Sequence, residues 1–408
     1  MKVLIVANVW PEPKSSAAGS HMMQLIDTFK SVDSIHFACT ASSTKNSADL
    51  HSKGIQTASI EMNDSSFDVY LSNLSPDIVI FDRFMAEEQF GWRVAEVCPK
   101  AIRILNTEDL HSLRKGRHNA LKADTEFSDK FLFNDLAKRE IASIYRSDLS
   151  LIISEVEMNL LHERFNVPSN LLHYTPFMLN APSKIEQSQL PTFHERKHFM
   201  TIGNYLHAPN ADVLKYLKET IWPLIRKELN EAELHVYGAY IPDQIHQHTD
   251  ERDGFIIKGF TEDVDACMRK YRVCLAPLRF GAGLKGKIVD AMQNGTPCMM
   301  TSITAEGLFG IGPKNGFICD DPDQFAQRSI ELYSQESSWK KCQENGFTTI
   351  KNRFNKDKVQ SSFIERIEYL KDHLADHRLQ NFTGQMLEHH ARQSTKYMSK
   401  WIEAKNKN

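Results

Sequence analysis

The sequence has few of the features that staple small or exported proteins. Its seven cysteines among 408 residues (Cys39, Cys98, Cys267, Cys274, Cys298, Cys319 and Cys342) are odd in number and scattered, with no Cys-x-x-Cys pair. That spacing excludes a disulfide framework and a zinc site and leaves them as small core residues. No stretch approaches the roughly 20 apolar residues of a membrane span. The opening MKVLIVANVWPEP has a short apolar run and no small-residue cleavage site, so it reads as a buried strand rather than a signal peptide. A cytoplasmic protein is expected, with room for peripheral contact with the cytoplasmic membrane face. The formal net charge of −3 gives no overall field for nucleic acid, so none is expected as a partner, and any phosphate must be held by local groups.

What is present is a soluble globular balance, 41% hydrophobic and 25% charged. The length suits two or more cores. Nearly continuous apolar runs at 2–9, 34–40, 77–83, 102–107 and 149–154 alternate with helix-length segments such as 20–31, 84–97 and 125–146. Strands apolar on both faces belong to covered parallel sheets, and the alternation implies βαβ units. Residues 178–197 interrupt this with two prolines and no apolar period, as a linker does. The rhythm resumes at 198–203, 234–238, 255–260, 271–278, 297–302 and 316–320, and the tail from about 354 carries only helical signal. The expected fold is α/β: two Rossmann-like parallel-sheet domains, 1–177 and 198–353, facing across a cleft, followed by a helical segment 354–408 that packs in part on the first domain. Ligands of open parallel sheets bind beyond the carboxyl ends of the strands, so the strand ends are the places to look.

The most informative stretch is 278–308, which follows a strand and opens a helix. Gly281, Gly283 and Gly286 allow close backbone approach, and Lys285 and Lys287 add charge beside the amides of a helix start, a combination suited to a diphosphate. Three readings compete. Gly281-x-Gly283-x-x-Gly286 is formally the dinucleotide pattern, with Glu306 where a ribose-binding acid would be sought, but it follows the fourth strand of its half rather than the first. Gly281-x-x-x-x-Gly286-Lys287 nearly spells a P-loop, but Ile288 stands where a magnesium-binding hydroxyl is needed. The third reading is a glycine-rich turn with exposed lysines.

The run Pro277-Leu278-Arg279-Phe280-Gly281-Ala282-Gly283-Leu284-Lys285-Gly286-Lys287, continuing through Asp290-Ala291-Met292, Gly295, Pro297 and Thr301-Ser302 to Ala305-Glu306-Gly307-Leu308, resembles the donor-binding signature of bacterial family 4 glycosyltransferases. Trp10-Pro11, Ala18-Gly19-Ser20, the segment Glu108 to Arg114, and Gly203 with Pro209-Asn210 extend the resemblance over most of the chain. It implies the GT-B architecture, a nucleotide-diphosphate sugar as co-substrate, no cofactor, no metal, and transfer with retention to a glycan, glycolipid or protein acceptor in surface glycan assembly. On this resemblance the donor is held by Gly19, Gly203, Asn204, Phe260, Thr261, Arg279, Phe280, Gly281, Ala282, Gly283, Lys285 and Asp290. The base lies against 259–261, Asp290 takes the ribose, and Arg279, Lys285 and the 281–286 amides take the diphosphate. Lys285, Lys287 and His111 are the catalytic candidates; Asp109, His111 and Arg114 face the acceptor. The chain departs from the pattern at Ala282, where many relatives have the first of two glutamates, and it lacks their Arg and Lys around Gly203–His207. A nucleotide-sugar epimerase and a non-catalytic glycan-assembly partner are the alternatives.

Smaller features carry expectations of their own. A helix is expected near Ser20 with a serine cap. His111 is suited to steering a hydroxyl or shifting a proton near neutral pH. Asp82-Arg83 and Glu87-Glu88, around the end of strand 77–83, are weaker cleft candidates of the same kind, with a solvated helix start as the preferred reading. Arg114, Lys115, Arg117 and Lys122 read as a solvated basic face that suits a phosphate-bearing acceptor or an anionic membrane. Phe382, Met386, Tyr397, Trp401 and Ile402 follow helical spacing, with Arg392, Lys396 and Lys400 interspersed, and are expected to pack on the body, a partner helix or membrane contact being the alternative.

Overall fold

The structure, a computed structural model, describes residues 1–242 and 249–407; residue 408, the end of the expected tail, lies outside them. Two all-parallel sheets form the core. The first takes β1 (Lys2–Ala7), β2 (Ser34–Cys39), β3 (Gln56–Ser59), β4 (Ile78–Asp82), β5 (Ile102–Asn106), β6 (Leu149–Ile152) and β7 (Leu172–Tyr174) in the order 3-2-1-4-5-6-7. The second takes β8 (Lys197–Ile202), β9 (Leu234–Tyr237), β10 (Phe255–Gly259), β11 (Tyr271–Ala276), β12 (Cys298–Met300) and β13 (Gly316–Ile318) in the order 10-9-8-11-12-13. Counted from its own first strand, the second sheet has the 3-2-1-4-5-6 order of nucleotide-binding doubly wound domains.

The central strands are mostly apolar because both faces are covered; β1 and β4 are buried from Val3 and Ile78 onward, with Asp82 at the cleft end of β4. Two clusters, around Val79 and Ile80 respectively, cover opposite faces of the first sheet, and a single large cluster runs through the second domain. The sequence reading missed β3 and β7. Both are short edge strands, and QTAS and LHY lack the apolar run by which the interior strands are recognised.

The linker is partly ordered, with a short helix at Lys184–Ser188 whose start is closed by a reciprocal Ser183–Glu186 capping box. The buried Arg196 fastens the linker to the second domain by donating to Pro191 O, Asn294 O and Thr296 Oγ1. After the helix Glu336–Arg353 the chain returns to the first domain. Leu179 N donates to Phe354 O and Lys356 N to Leu179 O, so the return strand lies against the outgoing one. Phe363, Ile367 and Leu370 of the helix Lys356–Gln380 then join the first domain's core. The last helix, Phe382–Asn406, lies on the helices Arg83–Val97 and Asp135–Arg146. It is held by Arg103 to Glu388 (3.0 Å), Arg93 to Ser399 (3.2 Å) and Ser65 to Glu403 (2.6 Å). Its aromatic residues do not pack on the body as expected. Gly384 and Ser399 are its buried residues, because polar anchors rather than apolar side chains fix it.

Candidate functional site between the two sheets

The carboxyl ends of both sheets open onto one cleft of about 1180 Å³. In each sheet the strand order reverses beside the first strand, between β1 and β4 and between β8 and β11. Loops diverge at such switch points and leave a crevice; here the two crevices face each other.

The wall from the second domain is built on β11 and the helix Gly286–Gln293. Gly283 has φ of +63°, and a Cβ there would stand 2.8 Å from Cβ of Asp109; one on Gly286 would stand 2.5 Å from Cβ of Ala17. Residues without side chains at these points let the second domain close on the first. Lys285, only 6% exposed, caps the helix start, and its Nζ donates to Gly283 O at 2.8 Å. Lys287 Nζ donates to Asn210 Oδ1 at 2.8 Å. Burial pulls both amines down to about 8; around Lys285, Glu306 and Glu157 oppose that pull and Arg117 adds to it. One turn on, the Asp290 carboxylate faces the cleft with no hydrogen-bond partner among the described residues, and burial, with Asp265 nearby, pushes it up to about 7. Polar groups left this way in a low-dielectric site are costly unless a ligand satisfies them.

The wall from the first domain is a set of compensated charges at the ends of β4 and β5. Arg83 and Glu108 sit at φ of +67° and +60°, left-handed conformations that cost non-glycine residues about 1 kcal/mol or more. Asn106 Nδ2 donates to Glu108 (2.9 Å) and Asp82 (3.3 Å). His21, fully buried, lies 3.3 Å from Glu108 and 3.2 Å from Thr175 O; burial works against its protonation, but Glu108 outweighs it and raises the pKa. Asp109 pairs with Arg114, which with His111 and His207 overcomes burial and holds the carboxyl below its usual range. Burial brings His111 and His207 down to about 4 despite Asp109. At the rim, Tyr240 of the second domain donates to Glu12 of the first at 2.8 Å, and Ser15 donates to the same carboxylate.

Of the residues singled out in the sequence, Gly19, Gly203, Asn204, Phe260, Thr261, Gly281, Ala282, Gly283, Lys285, Lys287, Asp290, Asp109, His111 and Arg114 all line this cleft. Arg279 and Phe280 do not. Arg279 turns away to pair with Asp212 over the Tyr216 ring, and Phe280 is buried, stacked 4.2 Å from His118. The amides of 281–286 are not all presented to the cleft either, since Gly283 N–H donates to the buried Glu157 (2.8 Å). The first helix starts at Ala17, capped by Ser16, which occupies the Gly19 amide; Ser20 instead donates to Pro13 O. Burial brings the His111 pKa to about 4, which makes the ring a weaker base than the free imidazole expected for shifting a proton near neutral pH. The basic face is not simply solvated, because Arg117 reaches across to Glu306 with two bonds of 2.7 Å and to Gly281 O. That pairing also removes Glu306 as a free ribose acid. Asp82 and Arg83 line the cleft, and Glu87 is buried against Arg146, so this is no solvated helix start.

His207, Glu12, Tyr240, Glu157 and His21 were not singled out. His207 follows β8 and was findable by the strand-end rule. Tyr240, Glu12 and Glu157 follow β9, β1 and β6 as closely and were findable by the same rule, whereas His21 lies inside the helix Ala17–Thr28 and its neighbours in sequence give no sign of it.

Residues 196–335 match the family described as Glycosyl transferases group 1. An uncharacterized 44.6 kDa protein in the cps region of Klebsiella pneumoniae is 25% identical over 194 residues, which cover 44% of this chain and 50% of that one. The match thus spans about half of this curated relative. Sucrose-phosphate synthase from Thermosynechococcus elongatus superposes with a TM-score of 0.66 at 13% identity, covering 91% of this chain and 99% of that one. Anabaena HepE in complex with UDP-glucose gives 0.66 at 14% identity, covering 91% and 100%. TarM from S. aureus, in complex with UDP and α-GlcNAc-glycerol, gives 0.57 at 14%, covering 73% of this chain and 57% of TarM. At such identities the superpositions speak for the fold. The second domain thus matches the group 1 family model over residues 196–335, and the chain as a whole has the GT-B fold of two facing Rossmann-like domains.

Proposed function

We propose that the protein is a glycosyltransferase that moves a sugar from a nucleotide-diphosphate sugar to an acceptor hydroxyl. The observation that carries this reading is the trio Lys285, Lys287 and Asp290, the first buried and the other two half-buried, all facing the cleft on the first turns of one helix in a group 1 domain and without a charged partner in direct contact among the described residues. Two ammonium groups and helix-start amides match a diphosphate, and an unpartnered carboxylate matches a ribose diol. Anabaena HepE, with the same fold, binds UDP-glucose, which supports the donor class.

In this reading the bond from the anomeric carbon to the phosphate oxygen breaks with its electron pair going to the diphosphate, while the acceptor oxygen bonds to that carbon and its proton leaves with the phosphate. Lys285 and Lys287 stabilise charge that grows on the departing group, where fixed positive groups accelerate the step most. They supply this charge without a metal ion. His111, neutral and beside Asp109, orients the acceptor hydroxyl, and Arg83, Glu108 and Arg114 shape the acceptor side. Retention rests on the likeness of residues 277–308 to retaining enzymes. The relative in a cps region is in keeping with glycan assembly.

Thermal stabilisation by UDP, GDP, dTDP, CMP and NAD, for the intact protein and Lys285→Ala, tests the reading, because a ligand that binds the folded form alone raises Tm. A shift with one nucleoside diphosphate that Lys285→Ala weakens is the expected result. A shift with NAD alone, or with nothing, refutes it. Conversion of the donor alone to an isomer assigns an epimerase instead.

A further inference from the structure

We infer that the last helix, Phe382–Asn406, docks the protein on an anionic phospholipid surface. Large apolar side chains are exposed along it: Phe382 (67%), Met386 (46%), Tyr397 (60%) and Trp401 (61%), with Met398 beside them. At about 100° per residue Phe382, Met386, Tyr397 and Trp401 fall within one sector of about 100°, opposite the buried Gly384, and span about 29 Å at about 1.5 Å per residue. Met62 and Val69, also exposed, flank Ser65, which holds the end of this helix through Glu403.

The charges around this ridge are biased. Glu388 is taken up by Arg103 and Arg392, and Glu403 by Ser65 and Lys407. These two are all the acidic residues that the helix carries, so none of its carboxylates is left over to repel an anionic surface. Lys400 and Lys405 form no ion pair among the described residues, and Lys405 lies over the Trp401 ring at 5.5 Å. Aromatic and Met side chains interleaved with free ammonium groups match the boundary between lipid headgroups and acyl chains, where rings settle and lysines reach phosphates. A second copy of the chain fits less well. A stable dimer buries a continuous patch of about 800 Å² per partner, whereas His390 and Gln393 divide this ridge in two. The inference does not depend on the chemistry of the cleft.

The test is co-sedimentation of the intact protein with vesicles of phosphatidylcholine alone and of phosphatidylcholine with phosphatidylglycerol in equal parts, at low and high salt. Binding is expected to the anionic vesicles, weaker by about tenfold without phosphatidylglycerol or in high salt. Phe382→Ser with Trp401→Ser is expected to lower it by a further factor of about ten. Lys400→Glu with Lys405→Glu should weaken anionic binding to a similar degree, and because it leaves the rings in place it decides the matter if the serine variant melts early. Absence of binding, equal binding to both vesicles, or indifference to both variants overturns the inference. So does a dimer in sedimentation velocity that Trp401→Ser dissociates, which would assign the ridge to a second copy.

Discussion

The two walls of the cleft handle charge in opposite ways. On the first domain the charged groups at the ends of β4 and β5 have a counter-charge close by, Asp82 with Arg83, Asp109 with Arg114, His21 with Glu108, whereas Glu157 beyond β6 is held, among the described residues, only by the N–H groups of Leu110 and Gly283. On the second domain Lys285 and Lys287 donate to a carbonyl and an amide oxygen, and Asp290 has no described partner. A pre-paired wall is stable when empty and offers fixed dipoles to neutral hydroxyls. A wall of unpaired buried charge is stabilised by a ligand of complementary charge. The contrast supports the proposal that the donor lies on the second domain and the acceptor on the first.

The strongest way to break this comparison is Lys285→Ala. It should lower kcat by about a hundredfold, the scale of losing one fixed donor to a developing anion, and abolish the Tm shift given by the nucleotide. If turnover is kept, the second wall is not charged for a diphosphate. Next in size is Arg117→Ala, which cuts the bidentate pair to Glu306 between the domains; it should cost about 2 kcal/mol in urea unfolding and enlarge the radius of gyration in solution scattering. An unchanged radius would mean that Glu157 and Tyr240 close the cleft without it. His111→Ala should lower kcat about tenfold and leave nucleotide affinity as it was. An equal loss in affinity would move His111 to the donor side.

The smallest effect sharpens the contrast through pH. Above about 8 the two lysines lose the protons that attract a diphosphate, so calorimetric affinity for the nucleotide should fall as pH rises through that value. Below about 7 Asp290 takes up a proton and accepts ribose hydroxyls less well, so affinity should also fall on the acid side. Each limb is bounded at about tenfold per pH unit for each proton exchanged. Asp290→Asn should flatten the acid limb and spare the alkaline one.

The doubly wound halves were legible because a strand covered on both faces leaves a largely apolar run; all six strands of the second sheet stood out so, although KHFMTI, LHVY and FIIKG carry polar residues. Lys285, Lys287 and Asp290 were legible for a related reason, since glycines, lysines and a helix start fall within ten residues of one another. Arg279 misled because charge beside a glycine turn says nothing of direction, and Asp212 and Tyr216, about 65 residues upstream, decide it. The tail misled in the opposite sense. Helical spacing of rings is the same whether they face a core or the exterior, and the residues that fix the helix, Arg93, Arg103 and Ser65, belong to another part of the chain.

The return of the chain at Asn355 has a bearing on how the protein is made. Domains begin to fold as they leave the ribosome, amino end first. Here the first domain needs Phe363, Ile367 and Leu370 to close its core, and Asp148 needs Arg378. The domain begun first is therefore completed last, after the second has had time to settle. Until then its outer face is bare, and this is the interval in which a chaperone would hold it.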